Sequence, residues 1–353
     1  MPRPATPAPD LLRVARVLLL LAILALSLRL AWVYETRYPL NGVGEPPVSL
    51  VVPPGSSAEA IGRQLHALGL VRYPLIFRIL VVSRGVETVL KAGEYSFEGP
   101  LSLEQIVDMM ARGEVVRHDV TVPEGKSLTE VAEIVTTHGI DAPAFLKAAR
   151  DPAPIHDLDP LASDLEGYLF PDTYDVALSP GAPAALVTRM VQRFRAMMEP
   201  ELPRLLTRGL SLRQVVTLAS LVELETAQGE ERPRIAAVFL NRLRKKMPLQ
   251  TDPTVIYALR LAGAWDGKIH KVDLSIDSPY NTYRIPGLPP GPIASPGRES
   301  LRAVLDPTEV PDLYFVSRND GTHQFSRTLA EHTQAVDRYQ KRKRPVPDPP
   351  GSP

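Results

Sequence analysis

Residues 211–229, SLRQVVTLASLVELETAQG, decide how the second half of this 353-residue chain folds. Apolar residues occupy nearly every face of the predicted helix, and a helix of that kind belongs in the interior of a domain. Two carboxylates, Glu223 and Glu225, follow near its end. A second helical pattern covers residues 230–246. The pattern therefore predicts a buried helix that carries charged groups at one end.

The two glutamates cannot share one environment. Side chains two residues apart on a helix differ by about 200°, so Glu223 and Glu225 each need a partner of their own. Leu218 and Leu221 precede Glu225 on its own side of the helix, and apolar neighbours raise the pKa of a carboxyl group. A carboxyl that stays protonated near neutral pH is what a general acid for glycosidic cleavage needs. In the alternative, one or both glutamates pair with a nearby arginine: Arg232, Arg234 or Arg242.

Motifs on both sides of this helix resemble one family. Besides 223–226 (ELET), they are 166–174 (EGYLFPDTY), 238–243 (VFLNRL), 249–257 (LQTDPTVIY), 280–283 (YNTY), 287–297 (GLPPGPIASPG) and 314–316 (YFV) with His323. In order and density, from the N-terminal apolar segment to about residue 340, the chain resembles the endolytic murein transglycosylases of the MltG (YceG-like) type.

The resemblance implies an activity and a catalytic residue. It implies cleavage of the MurNAc–GlcNAc β-1,4 bond within nascent peptidoglycan strands, with formation of a 1,6-anhydro-MurNAc end. The second glutamate of the E-x-E-T element is the catalytic one, which is Glu225 here. The family usually has Lys where this chain has Leu224, and we expect that position to be exposed or lightly packed. The resemblance also implies a place beside peptidoglycan synthases, where cleavage would terminate strand elongation.

Polar and aromatic side chains near these glutamates are candidates for binding the glycan. Amides and hydroxyls suit sugar hydroxyl groups, and aromatic faces suit pyranose rings. Turn formation or core packing is the alternative role for each of them, and for Glu223 we favour a structural or orienting role. The candidates are Glu223, Asn241, Gln250, Asp252, Tyr257, Tyr280, Asn281 and Tyr283.

Two other functions fit the same residues. In the transglycosylase reaction, attack by the sugar's own 6-hydroxyl needs no second carboxylate, and proximity favours that attack. A lysozyme-like hydrolase instead needs a nucleophile about 5 Å away or a base roughly 6.5 to 9.5 Å away. Asp252 and Glu223 are the candidates for that second carboxylate. The remaining alternative is a non-catalytic wall-binding membrane protein.

An apolar run at residues 17–34, interrupted by a serine and one arginine, predicts a membrane anchor. At 1.5 Å per residue it makes roughly 27 Å of helix, close to the thickness of a hydrocarbon core. No small-residue cleavage site follows, which disfavours a cleaved signal peptide. Arginines precede the run and Glu35 follows it, so the N-terminus should stay in the cytoplasm. We predict a single-pass protein of the inner membrane with its catalytic domain outside the cytoplasm.

One sequence pattern occurs twice after the anchor. Residues 50–61 and 120–132 both predict a strand, a Pro/Gly turn and a Ser-capped helix with Glu in its first turn. Two copies indicate a duplicated small α+β unit rather than a solenoid. The functional interpretation is a sugar-binding LysM-like module, and the alternative is a structural strand–helix unit used twice.

The predicted fold class is α+β, with a transmembrane helix, a small LysM-like module and an α+β catalytic domain. The predicted divisions are a cytoplasmic tail at 1–13, the transmembrane helix at 14–34, the LysM-like module at 47–117, the catalytic domain at 118–340 and a disordered tail at 341–353.

Composition excludes several other classes. The 40 basic and 40 acidic residues balance, which argues against a nucleic-acid partner. The absence of cysteine excludes disulfides, thiolate metal sites and a thiol nucleophile. The chain contains no H-E-x-x-H and no glycine-rich nucleotide loop, so we expect neither a metal nor a cofactor. Five of the 37 prolines fall between residues 286 and 296, where fixed φ angles would keep a groove wall rigid.

Overall fold

The structure is a computed structural model that describes residues 11–40 and 46–341. Residues 1–10 and 342–353, which make up nearly all of the two predicted tails, lie outside the described residues.

The chain forms two compact units. Unit 1 takes in the residues up to His118 together with Ala177–Pro180. Unit 2 takes in Asp119–Val176 and the residues from Gly181 onward. The divisions fall after His118 and after Val176, each inside a strand.

Helix α1 (Leu11–Arg37) is the predicted apolar helix near the N-terminus. Among the described residues it is the one helix long and apolar enough to cross a membrane, and its apolar window is not buried. It extends past the predicted span at both ends. Trp32 packs against the core of unit 1, and Glu35 forms an ion pair with Arg72 at 3.1 Å. These contacts explain why the helix continues beyond its apolar run.

Besides α1, unit 1 contains one antiparallel strand pair and three short helices. In chain order they are β1 (Val48–Val52), α2 (Ala58–Ala67), α3 (Pro74–Ser83), β2 (Gly93–Phe97) and α4 (Leu103–Arg112). Val48 pairs with Phe97 and Val52 with Gly93. Alternate strand residues, such as Tyr95 and Phe97, bury their side chains against the helices. This is a small α+β module, and its assignment as LysM-like stays a prediction.

The duplicated pattern is confirmed as local structure. The second copy comprises β3 (Arg117–Thr121) and α5 (Leu128–Thr137). Ser57 and Ser127 cap the two helices with their hydroxyl oxygens. Gly55 and Gly125 have φ angles of 74° and 75°, which favour glycine in both turns. The two copies share a local fold, but only the first belongs wholly to unit 1.

Unit 2 is mainly helical, with two strand pairs, β3–β4 and β5–β6. Its remaining elements are α6 (Ala142–Ala149), β4 (Thr173–Ala177), α7 (Ala182–Met198), α8 (Leu202–Arg208), α9 (Leu212–Glu225), α10 (Arg232–Arg244), α11 (Asp252–Leu261), α12 (Arg298–Leu305), β5 (Tyr314–Ser317), β6 (His323–Ser326) and α13 (Leu329–Val336). The mixed α+β class is therefore as the sequence predicts.

Helix α9 lies at the centre of unit 2, packed by α8, α10, α11 and α12. Every residue from Val215 to Val222 is buried, which confirms the predicted interior helix. The helix ends at Glu225 rather than at residue 229, because Thr226 adopts an extended conformation. A 3-10 turn follows, and α10 begins at Arg232 and ends at Arg244, so the predicted helix over 230–246 is too long at both ends.

The proline-rich loop at 286–297 lies along α9. The Ser220 hydroxyl accepts a hydrogen bond from the Ile293 amide at 3.2 Å. Further along, Ser295 and Lys126 form an isolated antiparallel bridge, and the Gly125 amide donates to the Ser295 carbonyl at 2.9 Å. The loop thus joins the buried helix to the turn of the second copy.

Candidate active site

The two glutamates at the end of α9 have different partners. Glu223 forms an ion pair with Arg232 at 2.9 Å and accepts a hydrogen bond from the Gly297 amide at 2.9 Å. Its side chain is only 5% exposed. Burial and the neighbouring Glu223 carboxylate raise the pKa of Glu124, which lies in the turn of the second copy. The arginine alternative is therefore confirmed for Glu223.

Glu225 is the last residue of α9 and is only partly exposed. The Thr251 hydroxyl, just before α11, donates a hydrogen bond to its carboxyl group. Its hydrogen bond is thus to a hydroxyl and not to an arginine. Leu224, between the glutamates, is 38% exposed, which confirms the expectation for that position.

Burial raises the pKa of Glu225 to about 7. The hydrogen bond from Thr251 acts in the opposite direction because it favours the carboxylate. The negative charge of Asp252 raises the pKa further, whereas Arg242 and His323 lower it. A carboxyl group with this pKa can give up a proton and take one back near neutral pH.

Buried threonines fix the position of the Thr251 hydroxyl. The Thr251 amide donates to the Thr282 hydroxyl at 3.1 Å, and the Thr254 and Thr282 hydroxyls lie 2.9 Å apart. The backbone amide of Gln250 donates to the Thr282 carbonyl, and Gln250 has a φ of 49°. The Gln250 side chain is exposed. These contacts hold segments 250–254 and 281–283 together beside Glu225.

Asp252 and Tyr283 form a second pair at the same place. The Tyr283 hydroxyl donates to Asp252 Oδ1 at 2.6 Å. Burial and this hydrogen bond raise the pKa of Tyr283. Asp252 begins α11 and is exposed. Of the predicted binding residues, the structure therefore brings Gln250, Asp252 and Tyr283 closest to the segment that contacts Glu225.

Tyr257, on α11, and Tyr280 form an aromatic pair. Their ring centroids are 4.9 Å apart. The Tyr257 hydroxyl lies 3.1 Å from Glu166 Oε2, and burial raises the pKa of Glu166 to about 8. Tyr257 also lines a cavity of about 220 Å³ together with Leu224 and Pro253, the chain neighbours of Glu225 and Asp252.

The two predicted asparagines hydrogen bond to the backbone. Asn241 Nδ2 donates to the carbonyls of Val310 and Asp312 at 2.7 and 2.9 Å. Asn281 Nδ2 donates in the same way to Leu274 and Ile276, and its side chain is fully buried. These contacts order the loops around the site, and a direct role in binding stays a prediction.

Sequence reasoning missed several residues of this arrangement. Thr251 and Thr282 lie 31 positions apart in the chain, and nothing in their spacing indicates contact. Glu166 begins the motif EGYLFPDTY, and Glu124 lies in the turn of the repeat. Their positions in these patterns are the signal that could have identified them. Among the described residues, no group of three or more His, Asp and Glu could hold a metal ion.

Comparison with known proteins places the chain in a family. A family model described as YceG-like matches residues 50–338, which cover most of the chain and the whole site. The chain belongs to the YceG-like family.

Named relatives and a solved structure agree with this membership. An endolytic murein transglycosylase of Bacillus subtilis is 32% identical over 321 residues, covering 85% of this chain and 87% of that protein. One from Streptococcus pneumoniae D39 is 31% identical over 335 residues, covering 86% of this chain and 60% of that protein. A crystal structure of a YceG-like protein from Listeria monocytogenes is 32% identical, with a TM-score of 0.56, and matches 83% of this chain and 100% of that one.

Proposed function

We propose that this chain is a membrane-anchored lytic transglycosylase that cleaves the MurNAc–GlcNAc β-1,4 bond within peptidoglycan strands and leaves a 1,6-anhydro-MurNAc end. The observation that supports it best is Glu225, whose carboxyl group is hydrogen bonded to a hydroxyl and has a pKa of about 7. The murein transglycosylases among the relatives support the same substrate.

One carboxyl group suffices for this reaction. Glu225, protonated, donates its proton to the bridging oxygen as the glycosidic bond breaks, and positive charge develops at C1 of MurNAc. The 6-hydroxyl of the same sugar attacks C1, and the Glu225 carboxylate takes the proton of that hydroxyl. The acid is regenerated and no water is consumed. Because attack is intramolecular, proximity can contribute several kcal/mol to lowering the barrier.

The surrounding residues divide into two groups. Gln250, Asp252 and Tyr283 present an amide, a carboxylate and a phenol next to Thr251, where they can contact sugar hydroxyls, and Tyr257 with Tyr280 offers aromatic faces. The other predicted binding residues hold the scaffold: Glu223, Asn241 and Asn281.

The apolar helix α1 is compatible with a single-pass anchor. With the arginines on its N-terminal side in the cytoplasm, the catalytic domain would lie outside the inner membrane, where glycan strands are made. An enzyme held there can cut strands beside the peptidoglycan synthases and so terminate their elongation.

The decisive experiment is mass spectrometry of purified, uncross-linked glycan strands digested by the full-length protein. Wild type should release anhydro-ended products, Glu225→Gln should release none, and Glu230→Gln, at an exposed glutamate, should behave as wild type. Products one water heavier, with reducing ends, would identify a hydrolase instead. No cleavage by the wild type would leave only a wall-binding role.

A further inference from the structure

Glu166 is a buried carboxyl group that the cleavage mechanism does not use. It is 6% exposed. Its two oxygens lie 3.1 and 3.2 Å from the Leu128 amide at the start of α5, and Oε2 also lies 3.1 Å from the Tyr257 hydroxyl on α11. An acidic side chain thus joins two helices of unit 2, and no arginine among the described residues pairs with it.

The Tyr257 side chain that Glu166 contacts lines the 220 Å³ cavity beside the site. Leu224 and Pro253 line it too, and each is one residue away from a polar group at the site, Glu225 and Asp252 respectively. A glycan bound across Glu225 would therefore pass close to this cavity. The Tyr257 hydroxyl can contact the glycan at this cavity.

The proton on Glu166 decides what the Tyr257 hydroxyl can do. When Glu166 is neutral, Oε1 accepts from the Leu128 amide and the proton on Oε2 can be donated to the Tyr257 oxygen. The Tyr257 hydrogen is then free to point into the cavity. When Glu166 is ionised it can only accept, so Tyr257 must donate its hydrogen to the carboxylate.

The groups around Glu166 favour the neutral form at neutral pH. Burial is the main cause of its raised pKa of about 8, and the Asp164 charge on the same loop adds to it. Hydrogen bonds from the Leu128 amide, the Tyr257 hydroxyl and the Gly167 amide act in the opposite direction, because they favour the carboxylate. Tyr280 is the other titratable neighbour, and burial is the main cause of its own raised pKa. On the same two helices, Glu130 and Arg260 pair with each other at 2.8 Å.

We infer that Glu166 is a positioning residue that, as a neutral acid, donates to the Tyr257 hydroxyl oxygen and thereby directs the Tyr257 hydrogen towards an acceptor oxygen of the bound glycan. This inference rests on the proposed function, because it takes a glycan as the ligand. Ionisation of Glu166 withdraws that donor and weakens glycan binding. Tyr257 is the group that touches the substrate, and Glu166 acts through it.

The test measures binding separately from cleavage. In the full-length Glu225→Gln background, the Kd for purified uncross-linked glycan strands is measured from about pH 6 to about pH 9.5. The substitution removes the titration of Glu225 itself, so any remaining pH dependence has another source. We expect the Kd to rise about 3- to 10-fold, the effect of one lost hydrogen bond, with a midpoint near the Glu166 pKa of about 8.

Two added substitutions should remove the pH dependence in opposite ways. Glu166→Gln keeps an acceptor for Leu128 and a permanent donor for Tyr257, so the Kd should stay low at all pH values. Tyr257→Phe removes the donor, so the Kd should stay high throughout. A third, Asp164→Asn, leaves Glu166 in place but removes a negative charge, so the midpoint should move to lower pH.

The outcomes separate this inference from the proposed function. A midpoint near pH 8 that persists with Gln at position 166, or a Kd that stays high at all pH values with that change, would overturn the role of Glu166. If the Gln variant unfolds, as judged by its urea midpoint, the Asp164→Asn arm decides the question. Absence of glycan binding by any variant, together with absence of cleavage by the wild type, would instead contradict the proposed function.

Discussion

Glu223 and Glu225, only two residues apart, show that the partner of a carboxyl group decides what that group can do. Both belong to the last turn of α9, and both are partly buried. Glu223 faces the Arg232 guanidinium and a backbone amide, so it is held as an ion pair. Glu225 faces the Thr251 hydroxyl, which can donate to a carboxylate and can also accept from a neutral acid. Only Glu225 can therefore exchange a proton without breaking an ion pair.

The charge of Asp252 should shift the alkaline limit of activity, which burial of Glu225 mainly sets. Since Glu225 must be protonated to act, the cleavage rate should fall as the pH rises through about 7. Asp252→Asn removes a negative charge that raises the pKa of Glu225, so this decline should move to lower pH by about half a unit to one unit. The pH profile of kcat measures the shift.

The same variant distinguishes the two cleavage chemistries. In the transglycosylase reaction Asp252→Asn keeps most of its activity at acidic pH. If Asp252 instead activates water, the substitution should reduce kcat by about 100-fold or more at every pH. Glu230→Gln, at an exposed glutamate in the same part of the chain, is the matched control and should leave the profile unchanged.

The Thr251 hydroxyl should act on the same pKa with the opposite sign. Thr251→Val keeps the shape of the side chain but removes a hydrogen bond that lowers the pKa of Glu225, so the alkaline limit should move to higher pH. Thr251→Ser retains the hydroxyl and should retain the wild-type profile. Identical profiles for the Val and Ser variants would show that the hydrogen bond does not act on Glu225.

At the scale of elements, α9 was predictable because its signals are local. From Val215 to Val222 the sequence is apolar except for Thr217 and Ser220, which leaves no face for solvent, and Ser211 with Gln214 forms a capping box at the start of the helix. The strand–turn–helix repeat was predictable for the same reason, since glycine and a capping serine are set by local geometry.

The end of α9 and its partners were not predictable, because distant segments determine them. The residues after Glu225 still suit a helix, yet Thr226 is extended and the chain turns away. Thr251, which contacts Glu225, is itself held through its backbone amide by Thr282 from another loop. Such contacts depend on packing between segments, which no spacing in the sequence encodes.

Gly167 is where three elements of unit 2 meet. Its φ is 81°, and a Cβ there would lie 2.4 Å from Pro292 in the proline-rich loop and 2.9 Å from Val216 in α9. Gly167→Ala should therefore lower the free energy of unfolding by about 2 to 4 kcal/mol, through backbone strain and overlap together. Urea unfolding of the full chain in detergent measures it.

Gly209 is the matched control for that substitution. It has a similar φ of 65°, but a Cβ there meets open space. Gly209→Ala should therefore lower the free energy of unfolding by only about 1 kcal/mol, the contribution of the backbone alone. Equal effects at the two glycines would mean that the contact between the loop and α9 is loose.

For the whole molecule, net charge is a poor guide to how stability depends on pH, and buried acidic side chains are a better one. The balance of 40 basic and 40 acidic residues averages the arginine-flanked apolar helix α1 with the rest of the chain, so it describes no single surface. Glu166 and Glu225 instead have pKa values of about 8 and about 7, against an ordinary value of 4.5. The folded chain therefore binds protons that the unfolded chain has already released.

That difference predicts how stability depends on pH. Because both pKa values are raised on folding, the stability they contribute is full below about pH 4.5 and is lost as the pH rises through about 7 and 8. The loss should be on the order of 3 to 5 kcal/mol per group. Urea unfolding of the full chain in detergent, repeated between about pH 5 and about pH 9, measures it.

Two other groups also contribute to the pH dependence of stability, and two variants isolate the parts that are due to Glu166 and Glu225. The pKa of Glu124 is also raised, so this group likewise makes stability fall as the pH rises. Burial lowers the pKa of His332, so this group makes stability rise with pH below about pH 6.5. Glu166→Gln and Glu225→Gln should each flatten the decline, and each should make the chain more stable than the wild type at pH 8, because neither amide can ionise. A slope that is unchanged in both variants would mean that these carboxyl groups are already ionised in the folded chain at neutral pH, and a carboxylate cannot act as the acid that breaks a glycosidic bond.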